Sequence, residues 1–239
     1  MNTHSIRSLA LGAVLSVAMG GTALAGVISF GNLSATQNSN LGASYTITQG
    51  GVTLTANAVT GPVWANTTNT CTAVSTTASS PCLFYKYTSG DMTETGLGLT
   101  PNSNNEIYNP NGIALTLMTP GQHIWSIGIG SVQTGESWQV VGCSMSNGMY
   151  SNCNILDSGI GSSNGASVMV TGLDSTPYAS YIVDVPCAPD SSCGSSTTNG
   201  SDNIVLMSAT TVPEPGTLAL MAAGLFGLGW MVRRRRVRQ

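Results

Sequence analysis

Apolar and polar residues alternate over short stretches through most of this chain. Residues 45–48 follow a period of two, as do Val52, Leu54, Ala56 and Ala58, with Gly50-Gly51 between the runs. This pattern predicts a hairpin. A loop holding Cys71 and Cys82 leads to the next predicted strand, residues 83–88. Residues 94–99 and 106–108 flank an Asn-rich turn at 101–105; residues 113–118 follow Asn111-Gly112, and 124–129 follow Pro120-Gly121. Alternation returns at 138–142, after which Cys143 opens a Ser/Asn/Gly loop with an Asn147-Gly148 turn. Residues 168–173, 181–185 and 204–209 complete about ten short strands. Between residues 26 and 212 apolar residues nowhere recur at helical spacing for the length of a good helix. The expected fold is all-β, an antiparallel β-sandwich of jelly-roll type. A β-solenoid is the runner-up, and the lack of a fixed repeat counts against it.

The two ends read differently. Arg7, with His4 beside it, precedes an apolar core at residues 9–18, and Ala23-Leu24-Ala25 places small residues where signal peptidase needs them. Residues 1–25 are therefore expected to be a secretory signal peptide, with Ala23 and Ala25 at the signal peptidase site and Gly26 the first mature residue. At the other end, residues 212–239 contain Pro213, Glu214 and Pro215, an apolar run at 216–232, and Arg233, Arg234, Arg235, Arg236 and Arg238. The apolar run predicts a transmembrane helix of roughly 25 Å, held with its arginines on the cytoplasmic side. The two prolines predict an extended segment beside the bilayer.

In its order and spacing this tail resembles the PEP-CTERM sorting signal. The resemblance implies recognition and cleavage near Pro213-Glu214-Pro215 by an exosortase, whose own cysteine is the nucleophile. It also implies an inner-membrane precursor, and delivery to the outer surface or extracellular matrix of a Gram-negative bacterium. Residues 26–211 then form a single exported body between the two signals.

Composition narrows what that body can do. Charged residues make up 7% of the chain. In the body Lys86 is the only cation, against Asp91, Glu94, Glu106, Glu136, Asp157, Asp174, Asp184, Asp190 and Asp202, a net charge of about −8. Nucleic-acid binding needs a basic footprint, which is missing, so no nucleic-acid partner is expected. The six cysteines suit an oxidising compartment and are expected to pair as Cys71 with Cys82, Cys143 with Cys153, and Cys187 with Cys193. Their spacing does not suit zinc.

Candidate chemistry is sparse. Gly161-Ser162-Ser163-Asn164-Gly165 matches a nucleophile-elbow pattern, but no histidine follows His123 and the context is loop, so Ser163 is not expected to be a nucleophile. No enzyme is expected. Glu94 and Glu106, with neighbouring asparagines, offer oxygen ligands of the kind calcium uses, against the plainer reading of solvated turn carboxylates; no other cofactor is expected. Trp64, Trp125 and Trp138 would offer stacking faces to sugars if exposed, but core filling is the expected role of Trp125 and Trp138. The order of residues 94–99, 104–107, 127–132 and 135–138 (GLG, NEI, IGSV, GESW) is similar to motifs in the bodies of some PEP-CTERM surface proteins of unassigned activity. The expected function is a non-enzymatic structural or adhesive one at the surface. The alternative is a carbohydrate-binding module, calcium-supported, with exopolysaccharide as partner. Ice binding is not expected, because Thr46, Thr48, Thr53 and Thr55 are only a short local run of threonines.

Overall fold

A computed structural model describes residues 25–60, 65–66, 81–100, 104–109, 111–146, 149–163, 165–173, 178–186, 203–214, 223–225 and 227. In chain order the strands are β1 (Gly26–Ser29), β2 (Ser39–Gly42), β3 (Ser44–Gln49), β4 (Val52–Thr60) and β5 (Ala65–Asn66). They continue with β6 (Cys82–Lys86), β7 (Gly96–Thr100), β8 (Ile107–Tyr108), β9 (Asn111–Leu117) and β10 (Gln122–Val132). The last five are β11 (Ser137–Ser146), β12 (Met149–Ile160), β13 (Ala166–Thr171), β14 (Ser180–Asp184) and β15 (Asn203–Pro213).

Two antiparallel sheets share these strands. The first runs β13-β10-β15-β7-β6-β2, with β1 and β8 also paired to β15. The second contains β3-β4-β9-β14-β11-β12, and β5 joins β12 back to β4, so its pairings close a ring. The all-β antiparallel class is as expected, but jelly-roll connectivity does not follow from these pairings. Among the described residues no helix is long and apolar enough to cross a membrane. Residues 223–225 and 227 are helical, and the rest of the expected 216–232 helix lies outside the described residues.

Alternation explains the layering. In β4, Val52, Leu54, Ala56 and Ala58 are fully buried while Thr53, Thr55 and Asn57 keep partial exposure. Val52, Leu54, Ala56 and Ala58 join Ile113, Leu115, Val140, Tyr181 and Val183 of the same sheet against Ile28, Leu97, Ile124, Ile127, Ile129, Leu206 and Ala209 of the first. A smaller cluster, Val59, Ala114, Val141, Cys143, Tyr150 and Ile182, lies on the alternate face of the second sheet. The predicted hairpin is present: Gly50 and Gly51 have φ of 59° and 80°, which a two-residue turn between β3 and β4 requires. Thr46 and Thr48 pair across it with Thr55 and Thr53 at 3.1 and 3.0 Å, a four-residue patch as short as the sequence indicated.

The expectation of a loop after Cys143 is corrected. Strand β11 continues to Ser146, and β12 returns beside it for 12 residues. Most of β12 is exposed on both faces, so selection for one buried face left no alternation to read. The Asn147-Gly148 turn itself lies outside the described residues. Strands β1, β2 and β5 were also absent from the predicted set, each being only two to four residues long.

Candidate functional site

Three of the four short motifs, those holding Gly98, Glu106 and Ser131, meet in space. Asp91 caps the 3-10 turn Met92–Glu94, accepting from Thr93 N at 2.9 Å and Thr93 Oγ1 at 2.7 Å, and so fixes where Glu94 leaves the turn. Those same bonds hold the Asp91 carboxyl below its usual range. Lys86, the last residue of β6, donates to Glu94 Oε2 at 2.6 Å and to Glu106 Oε1 at 2.5 Å. Ser131 Oγ donates to the same Glu106 oxygen at 2.6 Å.

Glycines make this convergence sterically possible. A Cβ on Gly98 would stand 1.8 Å from Asn105 O, on Gly96 2.3 Å from Leu206 O, and on Gly130 2.2 Å from Thr93 O. Ser131 occupies the left-handed region with φ of 56°, where β10 shifts register against β13, and its bond to Glu106 helps hold it there. Glu136 of the GESW motif is buried; its carboxylate accepts from Gln133 N at 2.6 Å and Asn203 N at 3.4 Å, closing the turn into β11.

Glu94 and Glu106, the carboxylates weighed as calcium ligands against solvated turn residues, are thus brought together around the protein's own ammonium group. Burial raises the Glu106 carboxyl, and the bonds from Lys86 and Ser131 offset only part of that. For Lys86, burial acts downward, but the two carboxylates outweigh it and hold the ammonium above its ordinary value. The arrangement can balance charge and tie together β6, the turn before β7, the entry to β8 and β10. Among the described residues no three His, Cys, Asp or Glu side chains gather in the manner of a metal site.

A third buried acid, Asp184, has no signature in the sequence. Asp184 is 2% exposed; its Oδ2 accepts from Gln139 Nε2 at 3.1 Å across the β11–β14 pair, while Oδ1 has no partner among the described residues. Desolvation pushes its carboxyl up to about 7.

Of the expected disulfides, Cys143–Cys153 is present, linking β11 to β12 with a Cα–Cα distance of 4.2 Å. Cys82 is also in a disulfide, and no described cysteine is free; Cys71, Cys187 and Cys193 lie outside the described residues. Trp138 fills core as expected, with Gly159 opposite leaving room for its indole. Trp125 does not: it is 37% exposed, and its expected core role is corrected. The bulge between Ile124 and Ser126 keeps Ile124 and Ile127 in the core and turns Trp125 outward. Trp64 lies outside the described residues. Ser163 falls in the loop between β12 and β13, consistent with a chance motif match.

The expected processing points lie side by side. Gly26 pairs with Thr211, whose Oγ1 donates to Gly26 O at 3.4 Å. Strand β15 continues through the expected boundary at 211/212; Pro213 pairs with Gln122, and Glu214 N donates to Gly121 O at 2.9 Å. Ala25 is exposed at the start of the described chain. Residues 1–24 with Ala23, and Pro215, Arg233, Arg234, Arg235 and Arg236, lie outside the described residues.

Residues 211–236 match the PEP-CTERM protein-sorting motif. No curated protein and no solved structure matches the chain. The motif indicates exosortase-dependent sorting to the cell surface.

Proposed function

We propose that the β-sheet body is the cargo of this sorting signal and acts without catalysis at the surface of a Gram-negative bacterium, in matrix, adhesive or envelope contacts. The observation that carries the reading is the continuity of β15. The strand that pairs with β1, β7, β8 and β10 in the first sheet is the same segment that enters Pro213-Glu214. A pull on the tail is therefore borne by the centre of a sheet. In this reading the precursor is threaded with its body outside the inner membrane and Arg233 to Arg236 inside, as the positive-inside rule directs. Glu94 and Glu106 serve Lys86 and take no calcium.

Mass spectrometry of the surface-exposed protein tests the processing. The mature form is expected to end near Pro213-Glu214-Pro215 and to lack the arginine cluster. Alanine at all three positions is expected to leave a longer, membrane-retained form. A surface form that keeps Arg233–Arg236 would make the tail a plain anchor.

A further inference from the structure

The exposed apolar residues of the first sheet are not scattered. Cross-strand register sets Val27 of β1 beside Thr210 of β15, and Thr210 beside Ser126 of β10. Two residues along, Ser208 stands beside Gly128, and Gly128 beside Met169 of β13. The row between them, Ile28, Ala209, Ile127 and Val170, faces the core, so both flanking rows point away from it; on that side Ser126 and Gly128 of β10 are themselves buried, and the exposed members are Val27 and Met169. Val27 is 59% exposed and Met169 57%, and the bulged Trp125 stands with them.

We propose that this face, centred on Trp125, docks a neutral polysaccharide. An indole presents a flat apolar surface to the C–H face of a sugar ring, and the ring's hydroxyls need polar partners at its edge. Here the partners are Thr210 and Ser208. Gly128 keeps the middle of the face low, since a Cβ there would stand 2.4 Å from Ser208 Oγ and fill the space above that hydroxyl. Strands about 4.8 Å apart make β1-β15-β10-β13 about 14 Å wide, enough for about two or three sugar rings.

Charge selects the class of glycan. No residue of the two outward rows is ionisable, and Lys86, the only cation between residues 26 and 212, is engaged by Glu94 and Glu106. An acidic polysaccharide would meet a body of net negative charge with no cation to offset it. A protein partner would want a continuous apolar centre, whereas here hydroxyls and a glycine interrupt the apolar side chains. An anionic membrane would want basic residues.

The inference rests on the surface-protein reading only for where the glycan is met; binding is measured separately. Full-length protein in detergent would be passed over insoluble cellulose, xylan and mannan, with alginate beads as the acidic comparison. Saturable retention on a neutral polysaccharide is expected, unchanged by added salt, and about tenfold weaker for Trp125→Ala. Met169→Lys, at an exposed site, is expected to weaken it as well, with far-UV circular dichroism unchanged. Retention on no neutral polysaccharide, retention undiminished in Trp125→Ala, or retention confined to alginate would overturn the proposal. Trp125→Ala is expected to reach the cell surface normally. Replacement of Pro213, Glu214 and Pro215 is expected to block sorting and leave binding intact, so the two readings fail separately.

Discussion

Burial of Asp184 turns its carboxyl into a group that holds a proton near neutrality. Its folded value, about 7, lies above the ordinary 3.8, so between those values the folded state binds more protons than the unfolded. Stability from this group is fully present below the ordinary value and is lost as pH rises through about 7, by on the order of a few kcal/mol. Denaturant midpoints are expected to fall between pH 5 and pH 8. Asp184→Asn is expected to flatten that slope and to exceed the wild type at pH 8; an unchanged slope would remove Asp184 as its source. Glycines make a second contrast at this scale. Gly50 has open space but φ of 59°, so Gly50→Ala is expected to cost about 1–2 kcal/mol. Gly98 would drive its Cβ into the Asn105 carbonyl, and Gly98→Ala is expected to cost more than Gly50→Ala in the same unfolding experiment. The sequence shows both glycines but not which constraint each obeys, because one is a local dihedral and the other a contact with a different strand.

Elements that share little backbone pairing are joined by the Lys86 cluster. Lys86 ends β6, Glu94 ends a turn, Glu106 precedes β8, and Ser131 sits in the irregular end of β10. Removing the ammonium leaves two carboxylates facing each other, one of them buried. Lys86→Met is therefore expected to destabilise by about 3 kcal/mol, and Lys86→Met with Glu106→Gln by less than the single change. Chemical denaturation of the three proteins decides it, and equal or additive losses would deny the coupling. The motifs holding Glu94, Glu106 and Ser131 were legible as motifs, and the two acids as a candidate pair. Their partner was not, because Lys86 lies eight and twenty residues away and reaches them only through the β6–β7 ladder.

Across the whole molecule, β15 sets the geometry. It joins the first sheet to the sorting motif and brings Gly26 opposite Thr211, so both expected processing points sit at one margin of that sheet. The outward rows around Trp125 run over the same strands, β1, β15 and β10. A body held by its tail would carry that face close to the point of attachment. The second sheet is closed by its own ring of pairings and stapled by Cys143–Cys153.

Sequence by itself determined what depends on near neighbours: the period-two strands, the Gly50-Gly51 hairpin, the absence of long helices among the described residues of the body, and the sorting tail. Each follows from alternation, turn chemistry or hydropathy over a few residues. Tertiary structure alone decided the rest. Strand β12 has no buried face to leave a pattern, and Trp125 leaves the core because one bulge changes the side it points to. Asp184 becomes a near-neutral acid only when neighbouring strands exclude water from it. In all three, register across strands outweighs what the residue type prefers, and register is set by contacts distant in sequence.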